Sequence, residues 1–96
     1  MNNQGIEYVF FAKIWYSEWY FVSLPKEMSK EIRENFKFLE EGWGRLKISA
    51  KIGDSEWRTA IWFDTKQQTY LLPIKAEIRK REKIGGNDEV TVTLWA

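Results

Sequence analysis

TYLLPIKAEIRKREKIGGNDEVTVTLW, residues Thr69 to Trp95, holds a complete structural plan in one stretch. Tyr70, Leu71 and Leu72 form a short apolar strand that Pro73 stops, because proline lacks the N–H that a ladder needs. A short basic helix is predicted over Ile74 to Glu82, and Gly85-Gly86-Asn87-Asp88 is a turn. Beyond the turn Val90, Val92 and Leu94 alternate with Glu89, Thr91 and Thr93, the period of a half-buried strand. A looser version of the same strand, proline, helix, turn, strand plan runs from Tyr20 to Ile52. There Leu24-Pro25 precedes a longer helix, and Gly42 to Gly44 lead into the strand Arg45 to Ile52. Two such halves predict one closed body built by duplication.

The segments between and before these halves read as strands as well. Ile6 to Trp15 is predicted as a single strand, with Tyr8, Phe10, Ala12 and Ile14 on one face and Val9, Phe11, Lys13 and Trp15 on the other. Both faces are largely apolar, so a helix is expected over one of them. Tyr16-Ser17-Glu18 reads as a hairpin loop and Trp19 to Leu24 as the returning strand. Met28, Ile32, Phe36 and Leu39 make an apolar stripe on a helix over Lys26 to Leu39, with Ser29 placed to cap it. In Arg45 to Ile52, Leu46, Ile48, Ala50 and Ile52 point inward and Arg45, Lys47, Ser49 and Lys51 outward. After Gly53-Asp54-Ser55, the strand Glu56 to Phe63 returns with Trp57, Thr59, Ile61 and Phe63 inside and Arg58, Ala60 and Trp62 outside. The expected architecture is mainly β, a single closed barrel of six strands with one clear helix and one short one. It spans residues 1–96 as one domain, irregular only over the first few residues.

Composition narrows the chemistry. There is no cysteine, which excludes disulfides, thiolate nucleophiles and cysteine-held metal centres. Histidine is absent too, which removes the commonest general base and the commonest transition-metal ligand. Fifteen Lys and Arg against 14 Asp and Glu leave a net charge of +1, so any nucleic-acid interface must be a local patch. No apolar stretch reaches the roughly 20 residues needed to span a bilayer, and the first residues lack a secretory pattern. A soluble, cytoplasmic protein is the expectation, with no cofactor, no metal and no membrane partner.

Trp19-Tyr20-Phe21-Val22 before Leu24-Pro25, Trp57-Arg58-Thr59 before Phe63, Tyr70-Leu71-Leu72-Pro73 with Lys75 and Arg79, and Asp88 with Val90 and Val92 carry a resemblance over about Tyr8 to Leu94. In these motifs the chain resembles a family of small prokaryotic domains of unknown function, which stand alone or are joined to a YdeI/OmpD-associated, bacteriocin-protection type segment. The resemblance implies a double-split β-barrel, related in shape to the swapped-hairpin barrels of AbrB-type transcription factors but with both halves in one chain. Where that family has Gly before the acidic residue of the last turn, this chain has Asn87 before Asp88. Asparagine tolerates the left-handed conformation, so the turn is expected to persist. No catalytic residue is implied by the resemblance.

Three functional readings follow from the residues. The leading one is a non-enzymatic binding domain acting through an aromatic and basic surface, with Trp19, Arg58, Trp62, Tyr70, Lys75 and Arg79 as its candidate residues. Six Trp and four Tyr exceed what a core of this size needs. Trp57, from its inward phase, is assigned to the core, and Trp43 and Trp95 are expected to be partly exposed. The partner would be a small ligand or a protein, and the chain a monomer or weak homodimer. The alternative is nucleic-acid binding through Arg45, Lys47, Arg58, Lys75, Arg79 and Lys80, with aromatic rings interleaved for stacking. Third is a carboxylate-dependent hydrolase drawing on Asp54, Asp64, Asp88, Glu18, Glu40 and Glu41, although Asp in turns commonly serves the local backbone instead.

Overall fold

The structure, a computed structural model, describes residues 5–96, without the side chain of Trp43. Expectations for the first few residues and for the exposure of Trp43 therefore lie outside what it describes. The elements in chain order are β1 (Glu7–Lys13), β2 (Trp15–Ser17), β3 (Trp19–Ser23), α1 (Lys26–Phe36), β4 (Arg45–Ile52), β5 (Ser55–Asp64), β6 (Thr69–Pro73), α2 (Ala76–Glu82) and β7 (Glu89–Trp95). Short 3-10 turns at Lys37–Leu39 and Gly42–Gly44 lie between α1 and β4. The strands form one antiparallel sheet in the order β1-β7-β4-β5-β6-β3-β2.

The two halves expected from the sequence pair with each other. β3 lies antiparallel to β6 with Val22 opposite Leu72. Around that pair the Leu24 amide donates to the Tyr70 carbonyl at 2.9 Å and the Ile74 amide to the Tyr20 carbonyl at 2.8 Å. The exchange is reciprocal, as a two-fold relation requires. β4 pairs with β7 in the same sense, Ala50 opposite Leu94. Each half ends its strand at a proline, and each helix drops one isoleucine, Ile32 or Ile78, into the core shared with Val22, Leu72, Ile61 and Leu94.

Closure fails in one place, and this corrects the expected six-stranded closed barrel. β5 runs unbroken for ten residues, pairing with β4 along most of its length and with β6 through Trp62, Phe63 and Asp64. Its counterpart in the other half, expected as the single strand Ile6 to Trp15, breaks at Ile14. There the Ile14 amide donates to the Asp88 carbonyl and the Ile14 carbonyl accepts from the Asn87 amide, both at 2.8 Å. Beyond the break the chain stops following β7 and pairs with β3, so β1 and β2 end up at opposite ends of the strand order. The result is seven strands in an open half-barrel. The expected loop Tyr16-Ser17-Glu18 shrinks to Glu18 at the hairpin tip, with φ of 66°.

Smaller departures have local causes. The helix expected over one face of β1 is α1, which lies beside Tyr8; among the described residues none covers the other face, where Val9 is 52% and Phe11 68% exposed. α1 ends at Phe36, and Leu39 is exposed at the end of the 3-10 turn that follows. Ser29 does not cap α1. It is fully buried, and its Oγ accepts from the Tyr70 amide at 3.0 Å, tying helix to sheet. α2 starts at Ala76, because Ile74 is still donating to β3. The inward residues of β4 are buried as the alternation predicts, and so are Trp57 and Ile61 on β5, with Thr59 and Phe63 half-buried. Asn87 takes φ of 73°, the left-handed value expected of it. Among the described residues no helix is long and apolar enough to cross a membrane.

Ser29→Ala removes the acceptor of the Tyr70 amide inside the core. It is expected to lower the unfolding free energy by about 1–3 kcal/mol, seen as a lower urea midpoint at unchanged slope. An unmoved midpoint would show that the helix-to-sheet bond contributes nothing.

Candidate binding surface

Strand alternation alone puts Arg45 and Lys47 of β4, and Arg58 and Trp62 of β5, on the outer face of the sheet. The register then brings them together, with Arg45 opposite Trp62, Lys47 opposite Ala60 and Ser49 opposite Arg58. Arg45, Lys47, Arg58 and Trp62 line a shallow cleft of about 390 Å³ with Thr59 and Ala60. The Arg45 guanidinium carbon lies 5.8 Å from the centre of the Trp62 ring, within cation–π range. Arg45 also pairs with Glu41, and the Lys47 ammonium sits 3.3 Å from the other oxygen of that carboxylate. The hydrogen bond from Lys47, then the charges of Lys47 and Arg45, hold the Glu41 carboxyl below its usual range. Among the described residues Arg58 has no carboxylate within 4 Å. Three cations thus face one carboxylate beside a tryptophan ring that is 39% exposed.

The other candidates do not join this surface. Tyr70 is fully buried and packs edge-on against Phe63 with ring centres 5.1 Å apart, so it is core and offers no stacking face. Lys75, Arg79 and Lys80 belong to the α2 region, whose Ile78 packs on the inner side of the sheet. Arg79 is committed there: its guanidinium lies 3.8 Å over the Tyr20 ring and its Nε donates to the Ile74 carbonyl at 3.1 Å. Lys75 stands 3.7 Å from Glu77. Trp19 is exposed on the β2–β3 hairpin, and half-buried Trp95 donates from its indole to Glu7 at 3.2 Å. Several of the carboxylates named for a hydrolase have local partners. Asp64 accepts from the Lys66 and Gln67 amides, Asp88 from the Gly85 amide, and Glu40 from the Tyr70 hydroxyl.

A protein-family model, Domain of unknown function (DUF1905), matches residues 10–94. The chain belongs to that family. The match spans both halves of the sheet, from Phe10 of β1 to Leu94 of β7. No curated protein matches the chain.

This DUF1905 domain also holds a cleft that the sequence reading passed over. Lys26, Lys30, Arg33 and Lys37 recur at helical spacing along α1 and into the turn that follows it, and with Glu27, Glu34, Phe63 and Gln68 they line a cleft of about 490 Å³. The spacing of these cations is itself a sequence signal, running along α1 beside the apolar stripe Met28, Ile32, Phe36. Arg33 lies 3.8 Å over the Phe63 ring, and its Nη1 stands 3.9 Å from Glu40, too far for a hydrogen bond. Glu40 instead accepts from Tyr70. Burial pushes the Tyr70 phenol well above its ordinary value; the bond to Glu40 and that carboxylate's charge push the same way, against Arg33.

The sign of this shift sets a pH dependence. An unfolded tyrosine gives up its proton near pH 10, whereas folded Tyr70 keeps it. Its contribution to stability is therefore whole below about pH 10 and is lost progressively as the pH rises further. Tyr70→Phe is expected to flatten the fall in thermal midpoint above about pH 10. Equal slopes in the two proteins would mean that Tyr70 ionises as easily folded as unfolded.

Proposed function

We propose that this DUF1905 domain is a non-enzymatic binding module whose outer β4–β5 face takes an anionic ligand carrying a flat ring. The observation that supports it is that Arg45, Lys47 and Arg58 line one cleft with the exposed Trp62, Arg45 lying within cation–π range of the ring. A guanidinium with no carboxylate partner can take a phosphate or carboxylate through two parallel hydrogen bonds. A tryptophan ring beside it supplies a stacking plane for a base or another aromatic group. Flanking Glu41 holds Arg45 and Lys47 in place and limits the charge excess to the rim of the cleft.

A second reading, single-stranded nucleic acid, is favoured by the shallowness of the cleft. An open face with cations and a ring suits a segment of a longer chain as well as a small molecule. On either reading the α2 cations Lys75, Arg79 and Lys80 lie outside the binding face.

Tryptophan fluorescence titrated with a mononucleotide and with a short single-stranded oligonucleotide, at low and at physiological salt, separates the readings. A small anionic ligand gives saturable binding to the mononucleotide. An oligonucleotide preference that falls steeply with salt favours the nucleic-acid reading, because bound phosphates release counterions. Arg58→Ala is expected to weaken either about tenfold or more, the loss of a charged hydrogen bond of about 1.5–3 kcal/mol, while Arg79→Ala leaves affinity unchanged. A flat signal with both probes, or equal loss in both variants, removes this face as the site.

A further inference from the structure

β1 is the first strand in the sheet order and is hydrogen-bonded on one side only, to β7. Ile6 and Ala96 exchange both backbone hydrogen bonds, at 3.0 and 3.1 Å. Antiparallel ladders alternate, so Tyr8, Phe10 and Ala12 also turn their amides and carbonyls toward β7. The amides and carbonyls of Glu7, Val9, Phe11 and Lys13 are left pointing to the open edge. The same residues put their side chains on the outer face, where all four are exposed.

We propose that this edge pairs with β1 of a second copy of the chain, antiparallel and across a two-fold axis at Phe10. The sequence EYVFFAK is self-complementary in that register. Glu7 of one chain falls opposite Lys13 of the other, and Val9 opposite Phe11. The residues brought opposite one another are the ones whose backbone groups are unpaired, so side-chain and hydrogen-bond registers agree. Directly opposed side chains on a sheet face lie within contact distance. Val9 and Phe11 from both chains would then cover each other, with an opposite-charge pair at each end. Among the described residues Lys13 has no carboxylate within 4 Å, so its charge is available. Edge strands that avoid such pairing are short or carry a charge at mid-strand. β1 is seven residues long, with its charges only at its two ends. At the other end of the sheet β2 has three residues and no charged side chain, so it offers no comparable complementarity. The interface is isologous and closes at two chains, because it uses the β1 edge of both.

Sedimentation velocity over a concentration series tests the register through charge reversal. Wild type is expected to dimerise. Glu7→Lys places lysine opposite lysine, and Lys13→Glu places glutamate opposite glutamate; each is expected to weaken the dimer about tenfold. An equimolar mixture of the two variants restores opposite charges at both ends, so it is expected to dimerise as wild type does. Phe11→Lys abolishes association in all backgrounds. Circular dichroism melts confirm that each variant is folded, and the mixing experiment works even where Glu7→Lys has lost its bond to Trp95. A wild type that stays monomeric overturns the proposal. So does a dimer indifferent to both single reversals, or a mixture no tighter than either variant alone.

Discussion

The reciprocal hydrogen-bond exchange around Val22 and Leu72 is the constraint on which the rest of the structure depends. Leu24 and Ile74 each spend their amide on the opposite strand, with Pro25 directly after the one and Pro73 directly before the other. Both helices must therefore leave the sheet at matching places. A slip of one residue in β6 would turn Tyr70 and Leu72 outward together, because side chains alternate along a strand. With the register held, Ser29 meets the Tyr70 amide, and Ile32 and Ile78 reach the same core. The outward set, including Arg45, Lys47, Arg58 and Trp62, is decided by the same register, so the candidate surface is a by-product of how the core is aligned.

The two halves are alike in plan and unlike in execution. β5 passes smoothly from β4 to β6, while the matching run breaks at Ile14, where the Asn87-Asp88 turn captures both backbone groups of that residue. Two of the surfaces discussed above follow from this difference. The continuous strand builds a level outer face on which cations and a ring can converge. The broken one leaves β1 with an unpaired edge and uncovered apolar side chains. One half thus presents charge beside an aromatic ring and the other presents backbone and hydrocarbon.

Much of this was legible in the sequence, for reasons that can be traced to particular residues. β4 alternates cleanly from Leu46 to Ile52, so its inward face and the exposure of Arg45 and Lys47 could be read directly. Asn87 marked a left-handed position. The break at Ile14 could not be read, because Tyr8, Phe10, Ala12 and Ile14 continue one unbroken alternation while the partners that stop the strand lie in the last turn. Tyr70 was misplaced for a related reason. Tyr70, Leu71 and Leu72 are all apolar, which hides the phase of β6, and its burial is decided by Ser29 and Glu40 from elsewhere in the chain. The α1 cations were visible as a stripe, but only the fold shows Phe63 beneath them.

Ile6 and Ala96 are bonded to each other at one end of the β1–β7 ladder, so the chain enters and leaves the domain at a single point. Tension applied through the two ends falls first on that pair, then on Tyr8 with Leu94, then on Phe10 with Val92, one rung after another. Such a ladder peels like a zipper, whereas strands pulled from opposite ends share the load across all their bonds in shear. As a link under load this domain is weak.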